Sequence, residues 1–460
     1  EYAPYTESLP TQALRLVYRL QDSPYQLTGA RYKAVAEAKE AHNTMLLALK
    51  LGETMFRFGA GALEVETSII VVTQAYGVFD AEVDITNQSI SLNFAPIGEP
   101  PATYQRVVRT WGSDYAGLAD LHLLVTEIAA GEVERDDAHA RLAAIRQRKK
   151  TFPTWMSFVA NGVWASAFVI FIGGSWFSAL LTLGVTSLIM ATVHLMGRLR
   201  SPDVFATMAG GLMATLIAFG LYWSEVFRDP ALMIAASLLT LVPALRIVSA
   251  VQDGINGFPV TSAGRMVSSA LLIYVGLVAG IAIGIVAVSM LGAPEIDITA
   301  MPSRQYPHWL ITVIVAIAAM GMSVAEQTRM RLILPTGLVS AVGYLVYAGA
   351  VDLGFGPSIA PAAAAVVVGF CARIVALSLD APQLVVAVPA SIFLLPGLMI
   401  FRAMYEIGTN VEMMSGGVMV LLQASVIIMA MATGLVLGDS LARPLTAGLK
   451  SNERRRSGHR

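Results

Sequence analysis

Residues 394–406 read LLPGLMIFRAMYE, and residues 241–253 read LVPALRIVSAVQD. Each is an apolar run interrupted by proline, with an acidic residue ten positions further on. Laid over one another at an offset of 153, Pro243 meets Pro396 and Asp253 meets Glu406. The register continues downstream, where Ser262 and Gly264 fall on Ser415 and Gly417. Upstream, FPTW at 152–155 faces YPHW at 306–309 at an offset of 154. The chain carries one pattern twice.

The segments between these markers read as membrane. Of 460 residues 55% are hydrophobic and only 14% charged, with a mean hydropathy of +0.64. A soluble domain carries about 25% charged residues. All six lysines lie at 33, 39, 50, 149, 150 and 450, so none falls between Thr151 and Leu449. A spanning helix needs about 20 mostly apolar residues. Ten such spans are read: 154–173, 176–196, 204–223, 231–251, 266–291, 308–325, 332–351, 358–378, 383–404 and 417–438. The basic RLAAIRQRKK (141–150) abuts the first span, and ERRRSGHR (453–460) follows the last. The positive-inside rule puts both on the cytoplasmic side, which requires an even number of spans. Arg198, Arg200, Arg265, Arg329, Arg331 and Arg373 are assigned to loops on that same side. No cleavable signal peptide is read at the N-terminus, so the internal spans are expected to drive insertion.

The fold class expected is a polytopic α-helical membrane protein, its ten transmembrane helices forming a 5+5 inverted-topology repeat behind a soluble α+β N-terminal domain. Five helices per copy force the two copies into opposite orientations, a recurring plan of secondary transporters. The expected boundaries are 1–26, a poorly ordered N-terminal segment; 27–150, a cytoplasmic α+β domain; 151–292, the first membrane repeat; 293–306, an extracytoplasmic connector; 307–440, the second repeat; and 441–460, a basic cytoplasmic tail.

Proline removes a backbone donor and disrupts a helix. Opened backbone is tolerated at membrane depth only where protein buries it or water reaches it. Paired interruptions at matching places in two halves therefore point to a substrate pathway. The candidate residues are Pro243, Arg246, Asp253, Pro396, Gly397, Arg402 and Glu406, with Asn161 in the first span as a further polar group. A packing kink, in which Arg402 and Glu406 pair four residues apart, stays open beside this reading. Glu326 and Asp439 follow long apolar runs and are secondary candidates, whereas Asp203 and Asp380 are read as helix-opening groups. Gly276, Gly280 and Gly284, like Gly434 and Gly438, recur at spacing four, a stripe that lets helices approach in lipid.

In the head, 30–58 and 62–77 have helical periodicity, 81–94 reads as a hairpin about Asn87, and two more helices are expected near 113–131 and 134–149. GAGALE (59–64) lacks the preceding strand and third glycine of a dinucleotide fingerprint and reads as a helix corner. Asp80, Glu82 and Asp84 share a strand face, read as solvated. The lone cysteine, Cys371, excludes a disulfide framework or a thiolate metal site. The sequence contains no GxSxG, HExxH, Walker A or CxxC motif, so no enzyme, metal or cofactor is expected, and a net charge of −1 gives no nucleic-acid partner.

GAGALEVETSIIVVTQAYG with ITNQSISLNF, then LVPALRIVSAVQDGINGFPVTSAGR (241–265), then LLPGLMIFRAMYEIG (394–408) resemble, in order, the signature segments of the bacterial threonine/serine exporter family (ThrE). Ala244 stands where that pattern usually has glycine, which Gly397 keeps in the second half. The resemblance implies export of L-threonine and L-serine across the inner membrane, driven by the proton gradient. Arg246 and Arg402 would then suit the substrate carboxylate, and Asp253 and Glu406 its ammonium or the proton. The expected partners are an amino acid, protons and membrane lipid, with a homodimer left open. Two other readings stand beside it: export of a small dicarboxylate such as succinate, and a membrane receptor with the head as output.

Overall fold

The structure is a computed structural model that describes residues 29–79, 81–95, 101–108, 112, 114–225, 229–242, 244–292, 304–409 and 414–446. The segment 1–26, Asp80, Pro243, most of the 293–306 connector and the tail beyond 446 lie outside the described residues. The chain separates into two compact units, one from residues up to 112 together with 120–148, the other from 113–119 together with 149 onward.

In the first unit, α1 (Gly29–Arg57) and α2 (Ala62–Ala75) form a helical pair. Leu47, Ala48, Leu49 and Leu51 point in different directions around α1, yet all are buried, so α1 runs through the core. Leu46 is only half-buried. A Cβ at Gly52 would lie 2.5 Å from Ile69 Cδ1, so glycine there lets α2 close onto α1. The corner between them turns at Gly59, whose φ of +102° favours glycine. The helix α2 ends with the Val78 N–H donating to Thr73 O at 2.9 Å, beside Gly77 in the left-handed region.

Strands β1 (Ala81–Thr86) and β2 (Ser89–Phe94) pair antiparallel, with Thr86 opposite Ser89 across the Asn87–Gln88 turn. A third strand, β3 (Ala102–Val107), pairs with β2 and was not expected. Its residues are half-buried to exposed, so they carry no apolar alternation to read. Glu82 and Asp84 are exposed on one face of β1. Then come α3 (Tyr115–Ala129), which contributes residues to both units, and α4 (Arg135–Gln147).

The second unit is helical: α5 (Thr154–Phe171), α6 (Trp176–Arg198), α7 (Asp203–Trp223), α8 (Pro230–Leu239), α9 (Ala244–Ile255) and α10 (Pro259–Met290). It continues with α11 (His308–Ala325), α12 (Met330–Asp352), α13 (Ile359–Ser378), α14 (Leu384–Ala390), a 3-10 turn at Ile392–Leu394, α15 (Gly397–Thr409) and α16 (Met414–Thr446). A π-helical stretch, Leu272–Val278, interrupts α10.

Among the described residues, eight helices are long and apolar enough to cross a membrane: α5, α6, α7, α10, α11, α12, α13 and α16. The ten continuous spans read from hydropathy are not all single helices. The segments 231–251 and 383–404 are each cut near their proline, and α8, with 10 residues, rises only about 15 Å. Trp155, Trp176, Trp223 and Trp309 are exposed at helix ends, where the headgroup boundary favours their amphipathic rings.

Two close helix contacts recur. Along α10, Cβ atoms at Gly280 and Gly284 would lie 2.2 Å from Met208 O and 2.8 Å from Thr215 Cβ of α7. Along α16, Cβ atoms at Gly434 and Gly438 would lie 2.6 Å from Ala362 O and 2.0 Å from Val366 O of α13. Three of these are approaches to backbone and the fourth, at Gly284, is to a side chain; all exclude larger residues.

Candidate functional site

The second interruption follows from local chemistry. Pro389 sits in the last turn of α14 and Pro396 stands just before α15. A residue preceding proline is pushed out of the helical region, and Leu395 adopts φ −68°, ψ 130°. The helix therefore stops, tightens into the 3-10 turn, and restarts at Gly397. In the first half, α8 ends at Leu239 and tightens through the Leu241 N–H donating to Leu238 O at 2.8 Å. The chain then restarts as α9 at Ala244.

The two breaks adjoin. Gly397 is buried, and a Cβ there would lie 2.9 Å from both Cδ atoms of Leu239 and 3.2 Å from Phe168 Cζ. The first turn of α15 thus rests on the last turn of α8, with α5 alongside. A cavity of about 10 Å³, lined by Trp164, Phe168, Phe171, Ile392 and Phe393 among others, lies at this junction. A second of similar size is lined by Gln252, Gln383 and apolar residues of α9, α14 and α16. Each has room for about one water. Beside the first, the rings of Phe171, Tyr344, Tyr347 and Phe393 pack mutually, with centroids 6.1–6.5 Å apart.

The candidate charges fall in different settings. Arg246 on α9 reaches the exposed Asp203 at 3.7 Å and is itself one-third exposed, so it tethers α9 to the start of α7. Asp253 is 1% exposed and forms a buried ion pair with Arg265 of α10, itself 3% exposed. A Cβ at Gly254 would lie 2.9 Å from Ser262 Oγ, which shows how closely the two helices run there. Arg402 and Glu406 are half-buried on α15, and Glu406 Oε2 lies beside Gly416 at the start of α16. Pro243 is outside the described residues. Asn161 spends its side chain within its own helix: Nδ2 donates to Ser157 O at 2.8 Å, and Oδ1 accepts from Trp164 Nε1 at 3.4 Å.

Three residues are placed differently from their sequence reading. Arg265 and Arg373, assigned to basic loops, lie within α10 and α13 and are buried. Arg373 Nη1 donates to Asp439 Oδ1 at 2.6 Å and its Nε to Thr446 Oγ1 at 2.9 Å, while Arg443 also donates to Asp439. A carboxylate partner within the protein lets a cation that hydropathy assigns to water stay inside. Asp380 does not open a helix; it follows the end of α13 with φ +51°. The signal for Arg265 was present in the segment 241–265, which runs from the proline through Asp253 to that arginine.

This architecture defines the class first: a multi-pass membrane protein whose interrupted helices meet in the interior of a helical bundle. Comparison with known sequences narrows it. A family model described as putative threonine/serine exporter matches residues 46–288, and another, described as threonine/serine exporter, ThrE, matches 311–441. The chain belongs to the threonine/serine exporter family. It is 30% identical over 446 residues to a probable threonine/serine exporter of Mycobacterium tuberculosis, covering 95% of this chain and 84% of that protein. A threonine/serine exporter of Corynebacterium glutamicum is 28% identical over 424 residues, 89% of this chain and 85% of the relative. A probable succinate transporter subunit of Klebsiella aerogenes is 24% identical over 245 residues, 52% of this chain and 91% of the relative. No solved structure matches the chain significantly.

Proposed function

We propose that this chain is a secondary active transporter that exports L-threonine and L-serine across the bacterial inner membrane, driven by the proton motive force. The observation that carries the substrate is its similarity, over nearly the whole chain, to two relatives named for threonine/serine export. The reading as a transporter, with no catalytic role, also draws support from the adjoining broken helices, since such breaks bring helix termini to a ligand at membrane depth.

The 5+5 inverted repeat is part of the same proposal. Its support is a match of lengths: 18 residues in α5 and α11, 23 in α6 and α12, 21 and 20 in α7 and α13, then a broken segment, then a long helix. The two family models also divide at the connector between the halves. In this reading both termini lie in the cytoplasm, an orientation supported by the basic stretches 141–150 and 453–460 through the positive-inside rule.

Within the site, the start of α15 offers its N-terminal N–H groups beyond Gly397, whose own N–H already donates to Leu395 O at 2.8 Å, and the positive end of a helix dipole for the carboxylate, with Arg402 in the same helix. Asp253 and Glu406 are the proposed carriers of the proton or partners of the ammonium. Arg246 has a weaker claim, because Asp203 already engages it. The cavity at the junction is smaller than an amino acid, so in this reading the half-helices part to admit substrate.

The test is flux. The full chain reconstituted in liposomes under an imposed pH gradient is expected to move labelled L-threonine, with unlabelled serine competing and succinate indifferent. Competition by succinate would favour the dicarboxylate reading, and binding without flux a receptor.

A further inference from the structure

Several buried hydroxyls in the bundle bond back to a carbonyl one turn earlier: Thr182 to Ser178, Thr215 to Gly211, Ser323 to Ala319 and Thr336 to Leu332. Ser340 in α12 does not. It is 0% exposed, and its Oγ meets no partner among the described residues. Ser269, one turn past Arg265 in α10, and Thr328, just before α12, are alike in this, but nothing of either break is shown against them. A buried hydroxyl left without a bond loses its hydration for nothing, so such groups are usually satisfied by something.

The face of α12 that carries Ser340 meets the second break. It shares a helical face with Gly343 and Tyr344. A Cβ at Gly343 would lie 3.6 Å from the Phe393 ring, and Tyr344 packs on Phe393 at 6.2 Å between centroids. Phe393 belongs to the 3-10 turn of the second break and lines the cavity there. The corresponding place in the first half is occupied differently. Thr186 stands at the same position in α6 as Ser340 in α12, and its hydroxyl bonds Ser237 of α8 at 2.9 Å. At the offset of 153, Ser237 corresponds to Ala390. In the first half two hydroxyls close this contact; in the second, alanine stands at that offset and the neighbouring Ser391 bonds back to Val388 O at 3.0 Å, so neither bonds Ser340.

We propose that Ser340 reads the side-chain hydroxyl of a β-hydroxy amino acid bound at the second break, with the N-terminal N–H groups of α15 holding its carboxylate. This rests on the transport reading above. A neutral hydroxyl both donates and accepts, which complements the substrate hydroxyl rather than its charged groups. A site built to bond a hydroxyl rejects an analogue that lacks one, because its own polar group is then left unpaired.

Threonine and valine differ mainly in that hydroxyl, so their ratio is the readout. In liposomes holding the full chain, Ser340→Ala is expected to lower the preference for threonine over valine about tenfold, with the same loss for serine over alanine. Its thermal midpoint without substrate should not fall, since no bond is removed, whereas the upward shift on adding threonine should shrink. Ser340→Cys, nearly isosteric with a weakly bonding thiol, should move both readouts in the same direction and carries the test if the alanine variant does not fold. A folded variant that keeps the wild-type threonine-to-valine preference overturns the role of Ser340 and leaves the transport reading intact. Wild-type protein that moves neither threonine nor serine overturns the transport reading and this assignment with it.

Discussion

Asp253 and Arg265 form a buried ion pair across the turn that joins α9 to α10, one 1% and the other 3% exposed. Removing one partner of such a pair strands the other charge, which costs about 3–5 kcal/mol. Asp253→Asn is therefore expected to lower stability sharply, and Asp253→Asn with Arg265→Met to recover most of it. Thermal melts in detergent check this. If Asp253 also carries the proton, the double variant stays inactive in flux despite its recovered stability. Restored flux in that variant would reduce the pair to a structural tie.

That pair shows where the sequence was legible and where it was not. The paired prolines, the acidic residues ten positions beyond them and the glycine stripes were all visible, because each is a local pattern with a fixed period. Arg265 and Arg373 were misplaced, because hydropathy scores a cation as a loop residue whatever carboxylate stands opposite. The partner in each case comes from another helix: Asp253 lies 12 residues away, inside the 241–265 segment, whereas Asp439 lies 66 away, beyond any local window. Ser340 was missed for a similar reason, since an apolar helix tolerates serine and only tertiary packing distinguishes a satisfied hydroxyl from an orphan.

The glycine stripes give a graded prediction. At Gly438 an added Cβ meets Val366 O at 2.0 Å, at Gly280 it meets Met208 O at 2.2 Å, and at Gly276 the nearest atom is Thr207 Cβ at 3.0 Å. Backbone cannot rotate aside, whereas a small shift relieves the third contact. Alanine at 438 or 280 should cost on the order of 1–3 kcal/mol, as overpacking does, and alanine at 276 less. The yield of folded protein after extraction, followed by melting, ranks the three. Equal tolerance at all three would mean that close backbone approach does not hold these helices together.

In the head, burial raises the carboxyl of Glu66 above its ordinary range. A raised acid holds its proton in the folded state after the unfolded chain has released it. The cost to stability is absent below the unfolded pKa, about 4.3. It grows as pH rises from there through the raised folded value, and it is constant above. Glu66→Gln should therefore match wild type near pH 4 and protect α2 better than wild type at pH 7 and above. Amide hydrogen exchange of α2 in the full-length protein, followed across that range, measures the difference. A gap that closed with rising pH would contradict the sign.

The contact between Gly397 and Leu239 couples the two breaks and gives the most direct test of the junction. A Cβ at 397 would stand 2.9 Å from the Leu239 side chain and 3.2 Å from Phe168. Leucine side chains yield more readily than backbone, so Gly397→Ala should fold with a modest loss of stability, about 1–2 kcal/mol. Its larger effect is expected on flux, because it forces apart the end of α8 and the start of α15, where the carboxylate is proposed to bind. Leu239→Ala makes room for that Cβ. The pair should then show strong non-additivity: the double variant regains stability and part of the threonine flux that Gly397→Ala loses. Additive losses in the cycle would mean that the two breaks act independently, and the shared site proposed for them would have to be divided.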